Sequence, residues 1–376
     1  MLNIDNAVPY LLERGLVTVG SIVEGDLSIV SVARRNRNLR VERGDGPGYL
    51  IKQPDGPSSG AQHTLWREAA FFDLCQREAS LGEIRGIVPR LLYFDPQGPL
   101  LAFELLEKPA NLWDHYSASE AQRFPVATAR AAGRSLGTVH HVLRPFAGTD
   151  DPRLGFLAQG TPWVLRVHKP GPELLSSLSQ ANYQTLRILQ TQEGLSQSLD
   201  RVGRLWKAET VIHGDIKSDN VLVLPPADAE SVEPPVRLVD WELVQTGDPA
   251  WDVAGALQDF ILFWVFSMPL GGGVEPERMV QEARYPLAVL QPAMRAFWRG
   301  YRTGAGLGPE EGNAVLGRAV AFSAARLIQS AYELAHDAAA LPPYSALLLQ
   351  ISANLLRDLE AGQVELYGLL QELPAA

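Results

Sequence analysis

The stretch TVIHGDIKSDNVLVL, residues 210–224, sets two apolar runs around a knot of polar side chains. The knot holds His213, Asp215, Lys217, Ser218, Asp219 and Asn220. Apolar runs rich in valine and isoleucine read as short buried strands. A turn between two such strands mounts its polar side chains rigidly, so the charges are presented at the floor of a cleft. A second apolar run, LVDWE at residues 238–242, brings Asp240 to the end of another strand. Far upstream, Lys52 closes the strand YLIKQ (residues 49–53), and Glu68 lies one helix later. Each of these polar residues stands at the edge of an apolar element.

Phosphoryl transfer from ATP uses such a set. The protein must position the donor, neutralise its phosphates and orient the acceptor hydroxyl. Lys52 on the third strand suits the α- and β-phosphates, with Glu68 holding the lysine in place. The Asp215 carboxylate suits the proton of an incoming hydroxyl. Asn220 and Asp240 offer hard oxygen ligands for Mg²⁺, which prefers such oxygens and phosphate to nitrogen or sulfur.

The strings HGDIKSDN (residues 213–220) and VDWE (residues 239–242) resemble the aminoglycoside phosphotransferase and choline kinase branch of the protein-kinase-like fold. GDPAWDVAG (residues 247–255) is similar to the start of the helix after that family's metal-binding strand, and LGTVHH (residues 136–141) to its Leu-Gly-x-Leu-His segment. The resemblance runs from about residue 25 to about residue 260. It implies Asp215 as catalytic base, Asn220 and Asp240 as Mg²⁺ ligands, Lys52 as the phosphate-binding lysine and Glu68 as its partner. FELLE (residues 103–107), with Phe103, Glu104 and Leu106, would be the hinge whose backbone holds the adenine edge. His213 would support the loop by hydrogen bonding. A lysine placed as Lys217 is approaches the γ-phosphate in protein kinases, whereas many small-molecule members lack it; here it reads either as that contact or as a surface lysine.

One departure concerns the loop over the phosphates. Protein kinases use glycines there, but the corresponding turn, ARRNRN at residues 33–38, has none. Asn38 fits a loop ending in Asn, and Arg34, Arg35 and Arg37 either supply phosphate charge or form a solvated basic turn. GDGPG (residues 44–48) joins two strands and reads as a hairpin turn. Asp219 reads as a solvated loop residue. Asp248 and Asp252 either meet a cationic substrate or cap and brace the next helix; Glu242 is either a supporting or a substrate-facing group. His140 and His141 read as packing or support residues.

Organisation follows the pattern. Residues 27–33, 38–43, 49–53, 89–95 and 99–106 read as strands, with a helix over 63–79. After residue 109 the chain reads as mostly helical, with an interruption at Pro125, a Pro/Gly-rich loop over 148–172 and a helical run over about 173–206. The fold class expected is therefore α+β: a bilobal protein-kinase-like fold. A small antiparallel β-rich N-lobe would span 1–106, and a larger, mostly helical C-lobe 107–376. The first hundred residues read as mostly strand.

The 376 residues carry a net charge of −10, which argues against a general nucleic-acid binder. The single cysteine, Cys75, permits no internal disulfide and fits a reducing cytoplasm. FILFWVFSMPL (residues 260–270) is too short to span a bilayer and reads as a buried helix. No zinc spacing, nucleophile elbow or Walker-type phosphate loop occurs.

For the acceptor, residues 161–190 carry Trp163, Arg166, His168 and Lys169 rather than an acidic lining. RRNRN, YLIKQ and HKPGPELLSSLSQA (residues 168–181) together resemble kinase components of class V lanthipeptide and thioamitide biosynthesis. That resemblance implies Ser/Thr of a precursor peptide as acceptor, with a separate lyase completing elimination. The alternatives are a small-molecule kinase of the aminoglycoside, sugar or amino-alcohol type, and a catalytically silent kinase-like scaffold that binds a peptide.

Overall fold

Five antiparallel strands build the N-terminal sheet: β1 (Leu27–Ser31), β2 (Leu39–Arg43), β3 (Tyr49–Lys52), β4 (Leu91–Asp95) and β5 (Leu100–Glu104). They lie in the order β1-β2-β3-β5-β4. The structure is a computed structural model that describes residues 2–32, 38–54, 59–176, 178–226, 231–269 and 276–370. The basic turn with Arg34, Arg35 and Arg37 lies outside the described residues. Its two ends meet, since Val32 N donates to Asn38 O at 2.9 Å.

The hairpin over residues 44–48 is tight. A Cβ on Gly48 would stand 2.4 Å from Val41 O and 2.7 Å from Leu105 Cδ2, so only glycine lets the segment after β5 approach the hairpin.

The expectation of a mostly stranded start needs correction. Two helices, α1 (Ile4–Glu13) and α2 (Val19–Val23), precede the sheet. Capping boxes open both, from Asn3 and Thr18. Ala7, Leu11, Leu16 and Val17 pack with Leu39, Val41 and Ile51 and cover one face of the sheet. The other face meets α3 (Ser59–Arg77), through Phe72 against Phe103 among other contacts.

From residue 110 onward the chain is chiefly helical. Helices α4 (Leu112–Ser117) and α5 (Val126–Leu143) stand on either side of Pro125. Helices α6 (Pro172–Ser176), α7 (Gln180–Thr191) and α8 (Leu195–Gly203) follow, then α9 (Pro249–Phe266), α10 (Pro276–Gln281), α11 (Leu287–Ala305), α12 (Pro309–Leu334) and α13 (Pro343–Arg357). The apolar segment noted in the sequence supplies the last turns of α9, residues 260–266, and α9 is buried along most of its length; residue 270 lies outside the described residues. Among the described residues no helix is long and apolar enough to cross a membrane.

Two small sheets sit amid these helices. One joins β6 (Ala110–Asn111), β9 (Val221–Val223) and β10 (Val236–Leu238); the other joins β7 (Ala158–Gln159), β8 (Thr210–Ile212) and β11 (Gln245–Gly247). The two apolar runs around the polar knot are thus strands, β8 and β9, but of different sheets. The knot is a crossing between sheets rather than a hairpin turn.

Candidate active site

The knot is held by hydrogen bonds from the helix beneath it. Gly214 has φ +83°, and a Cβ there would come 2.6 Å from Leu243 O, so the sharp bend before Asp215 requires glycine. Asp252 of α9 is fully buried and accepts the N–H groups of His213 and Gly214 at 2.7 and 2.9 Å. Burial opposes its charge, but hydrogen bonding from His140 and the nearby histidines hold its carboxyl below the ordinary aspartate range. His140 bridges Asp252 (3.1 Å) and the Tyr301 hydroxyl (3.0 Å). The ring of His213 meets Val239 O at 2.8 Å.

On this mount, Asp215 pairs with Lys217. Asn220 donates its amide N–H to Asp215 O at 2.9 Å, which leaves its Oδ1 as an acceptor for another group.

Lys52, at the end of β3, is buried and gathers carboxylates from three directions. Its Nζ lies 2.6 Å from Glu68 Oε2 and 3.6 Å from Glu242 Oε2, and it pairs with Asp240. Glu68 Oε1 also accepts the Trp241 N–H at 3.2 Å. Burial works against the Lys52 ammonium, but Glu68, Asp240 and Glu242 more than offset it and raise its pKa above the ordinary lysine value. Burial pushes Glu68 up to about 7 against the pull of Lys52. For Asp240 the balance reverses: Lys52 outweighs burial and lowers its pKa. Asp240 itself takes a left-handed backbone, φ 68°, two residues past β10, where Trp241 stacks on Phe71 of α3 at 4.2 Å. It follows the strand rather than ending it.

Two cavities meet at this place. The larger, of 600 Å³, is lined by Asn38, Lys52, Glu68, Phe103, Glu104, Leu106, Lys217, Asn220 and Asp240, together with the apolar Val32, Leu50, Phe72 and Leu222. The structure therefore brings all but two of the expected site residues to one cleft. Asp215 lines the second cavity, of 310 Å³, and Arg37 lies outside the described residues. Asn38 faces the cleft with a buried Oδ1 that has no hydrogen-bond partner among the described residues. At the segment after β5, Leu105 N–H goes to Gly48 O at 3.1 Å and the Glu104 side chain accepts the Arg90 N–H at 3.0 Å.

The smaller cavity is lined by the apolar Trp113, Leu262 and Phe266, by Gln258 and Asp259 of α9, and by Arg326, Gln329, Ser330 and Glu333 of α12. Lys217, Asp219 and Glu333 line both cavities.

A model of the phosphotransferase enzyme family matches residues 26–297, well over half of the 376 residues. The chain belongs to that family. Among solved structures, an ethanolamine kinase from Plasmodium vivax shares the fold at a TM-score of 0.57 and 12% identity, over 93% of this chain and 89% of that one. A choline/ethanolamine kinase family protein from Mesorhizobium loti gives a TM-score of 0.48 at 14% identity over 95% of each chain. An aminoglycoside 2'-phosphotransferase bound to GDP gives 0.49 at 13% identity, over 95% of this chain and 99% of that one. No curated protein matches the chain in sequence. The protein is thus a phosphotransferase of α+β, protein-kinase-like fold.

The geometry narrows several readings the sequence left open in this phosphotransferase. Asp248 and Asp252 are fully buried, so neither faces a substrate. Asp248 caps α9 through Ala250 N and receives Arg318. Glu242, a third exposed, reaches towards Lys52. Among the described residues no cluster of three or more His, Cys, Asp or Glu side chains is arranged to hold a metal on its own. The oxygens of Asn220 and Asp240, in one cleft, nonetheless fit a hard cation whose remaining ligands are phosphate and water.

Sequence reasoning missed Arg326, Gln329, Ser330 and Glu333. They recur at helical spacing on α12 and form one polar stripe, but only the packing of α12 against α9 reveals that the stripe lines a cavity.

Proposed function

We propose that this phosphotransferase moves the γ-phosphoryl group of ATP to a hydroxyl of an acceptor held in the 310 Å³ cavity beside Asp215. Residues 1–106 form the nucleotide lobe in this reading, and 107–376 carry the loop and the acceptor wall. The observation that carries it is the position of Lys217: it pairs with Asp215 and lines both cavities, so donor phosphate and acceptor hydroxyl would meet there.

In this reading the adenine lies against Leu50, Phe103 and Leu222, with its edge on the backbone at Glu104 and Leu106. Lys52, held by Glu68, receives the phosphates, Asn38 faces them from the same cleft, and Arg37 of the basic turn would add positive charge. Asn220 and Asp240 hold Mg²⁺, which when bound neutralises charge on the phosphates. Asp215 orients the acceptor hydroxyl and takes its proton, and Lys217 steadies the oxygens of the group in transit.

The cavity favours a small acceptor. Its size suits a small molecule, Trp113 and Phe266 give it aromatic lining, and Asp219 and Glu333, which it shares with the larger cavity, bring negative charge. An amino alcohol or sugar amine fits that lining, in keeping with the ethanolamine kinase among the similar structures. Ser/Thr of a precursor peptide is the second reading, resting on Lys217 beside Asp215, and it alone calls for a separate lyase.

The test is turnover with Mg·ATP and, separately, Mg·GTP against amino alcohols, sugars, aminoglycosides and Ser/Thr peptides, read by nucleoside diphosphate release and product mass. A phosphorylated amino alcohol supports the first reading, and a phosphopeptide replaces it with the second. A chain that neither turns over Mg·ATP nor melts higher in its presence is a silent scaffold.

A further inference from the structure

The loop from His213 to Asn220 has several of its backbone polar groups fixed by side chains. Asp252 takes the first two N–H groups, and Trp251 Nε1 donates to Gly214 O at 3.1 Å. Asn220 donates to Asp215 O. These contacts come from within residues 26–297, the span that the family model matches.

Two further contacts reach the loop from α9 and α12. Ser218 N–H donates to Asp259 of α9, and Ile216 O accepts from Arg326 Nη2 at 3.0 Å. Arg326 belongs to α12, which starts at Pro309 and so lies wholly beyond the family-matched span.

Arg326 is 4% exposed, and a buried guanidinium is costly unless its surroundings compensate. Its Nη2 lies 3.8 Å from Asp215 Oδ1, and its guanidinium sits over the Trp251 ring at 5.2 Å. Asp259 faces the same guanidinium. Room for the arrangement depends on Gly255 of α9. A Cβ there would come 2.4 Å from Ile216 O and 3.3 Å from Arg326 Nη2. Loop, α9 and α12 can therefore meet only at a residue without a side chain. Gln329, one turn on, accepts from Arg326 Nη1 at 3.4 Å, and both residues line the smaller cavity.

We infer that Arg326 is a positioning residue for phosphoryl transfer: by fixing Ile216 O and flanking the Asp215 carboxylate, it aims Asp215 into the acceptor cavity. The inference rests on the reading of Asp215 as the group that orients the acceptor hydroxyl. It assigns to α12, beyond the residues that the family model matches, a part in the chemistry as well as in the acceptor wall. A misplacement of about 1 Å at a reacting group can lower a rate about a hundredfold, so a contact of this kind acts on kcat rather than on nucleotide binding.

The experiment compares wild type with R326Q, R326K and R318Q in the full chain. Arg318 is the control: it too is buried on α12, but it is bound to Asp248 and Glu209 away from the loop. Turnover of Mg·ATP is measured with water as acceptor and with any acceptor from the panel, beside thermal melting. R326Q should lower kcat by about tenfold to a hundredfold while KM for ATP stays within about twofold. R326K, which keeps the charge and a single donor head, should fall between R326Q and wild type. R318Q should melt lower but keep its kcat. An R326Q chain that is folded and has wild-type kcat overturns the inference. If R326Q is unfolded at the assay temperature, R326K decides: a wild-type kcat overturns the inference, and a reduced kcat at unchanged KM upholds it. Absence of any Mg·ATP turnover in wild type instead removes the reading of Asp215 on which the inference stands, and the inference with it.

Discussion

Glu68 binds Lys52 at 2.6 Å with one carboxylate oxygen and the Trp241 N–H at 3.2 Å with the other. One side chain of α3 thus fixes both the lysine that ends β3 and the backbone next to Asp240. Removing a partner from a buried pair typically costs about 2–5 kcal/mol, and the lower end applies where, as for Lys52, other carboxylates remain. E68Q keeps an acceptor for Trp241 N–H but removes the charge, and Lys52 then turns wholly to Asp240 and Glu242. The expected outcome is a fall in kcat/KM for ATP of about thirtyfold or more. Steady-state kinetics at varied Mg·ATP measures it. A value near wild type would show that the pair braces the fold without serving the nucleotide.

Asp215 is exposed to the smaller cavity on a loop whose backbone is otherwise tied down. D215N conserves shape and can still accept a hydrogen bond, but it cannot take a proton. A positioned general base contributes about 10²–10⁴-fold, so D215N should lose turnover by that range. Its melting temperature and its stabilisation by Mg·ATP should stay close to wild type, because Asp215 lies beside the nucleotide cleft rather than in its lining. Retention of phosphoryl transfer in D215N would place the base elsewhere.

Much of this site was legible because its residues cluster in sequence. His213 to Asn220 occupy one short stretch between apolar runs, and Lys52 and Asp240 each lie at or next to the end of a strand. The strands of the N-terminal sheet were legible from the same β-branched runs and from the turn at residues 44–48. What was not legible depends on contacts between distant segments. Helix α1 carries Pro9 in its interior, which reads against a helix, and α2 has only five residues, too few to show a period. Their role appears only in the apolar face of the sheet that they cover. That β8 pairs with β11 and β9 with β10 is decided by partners downstream, which no local pattern announces. Arg326 looks like any arginine of a long helix until Gly255 and Trp251 are seen against it.

Asp252 gives a stability prediction. Its carboxylate is fully buried and accepts two backbone N–H groups and a histidine. D252A would leave those donors unpaired in the interior, at about 1–3 kcal/mol for each. The melting temperature should drop well below wild type, and D252N, which retains an acceptor oxygen, should drop less. Calorimetry of the two variants measures the order. Equal stabilities for D252A and wild type would mean that the loop finds other partners.

Asp259 gives a prediction in pH. Burial pushes its pKa from the ordinary 3.8 up to about 6, while the Ser218 N–H and Arg326 pull the other way and Asp215 adds to the rise. Tyr116, Arg326 and Asp215 are the other titratable groups that face it. In the unfolded chain the carboxyl loses its proton near its ordinary value. Between about pH 4 and about pH 6 the folded chain therefore holds a proton that the unfolded chain has released. Stability from this group is full below that window and is lost as pH rises through the folded value. D259N cannot titrate, and its amide oxygen can still accept the Ser218 N–H. The melting temperature of D259N relative to wild type should therefore rise as pH goes from about 4 to about 7, and level off beyond. Paired melting curves across that range test it. A difference that is flat, or that falls with pH, would mean that Asp259 is ionised in the folded chain throughout, held by Arg326 and Ser218 strongly enough to outweigh its burial.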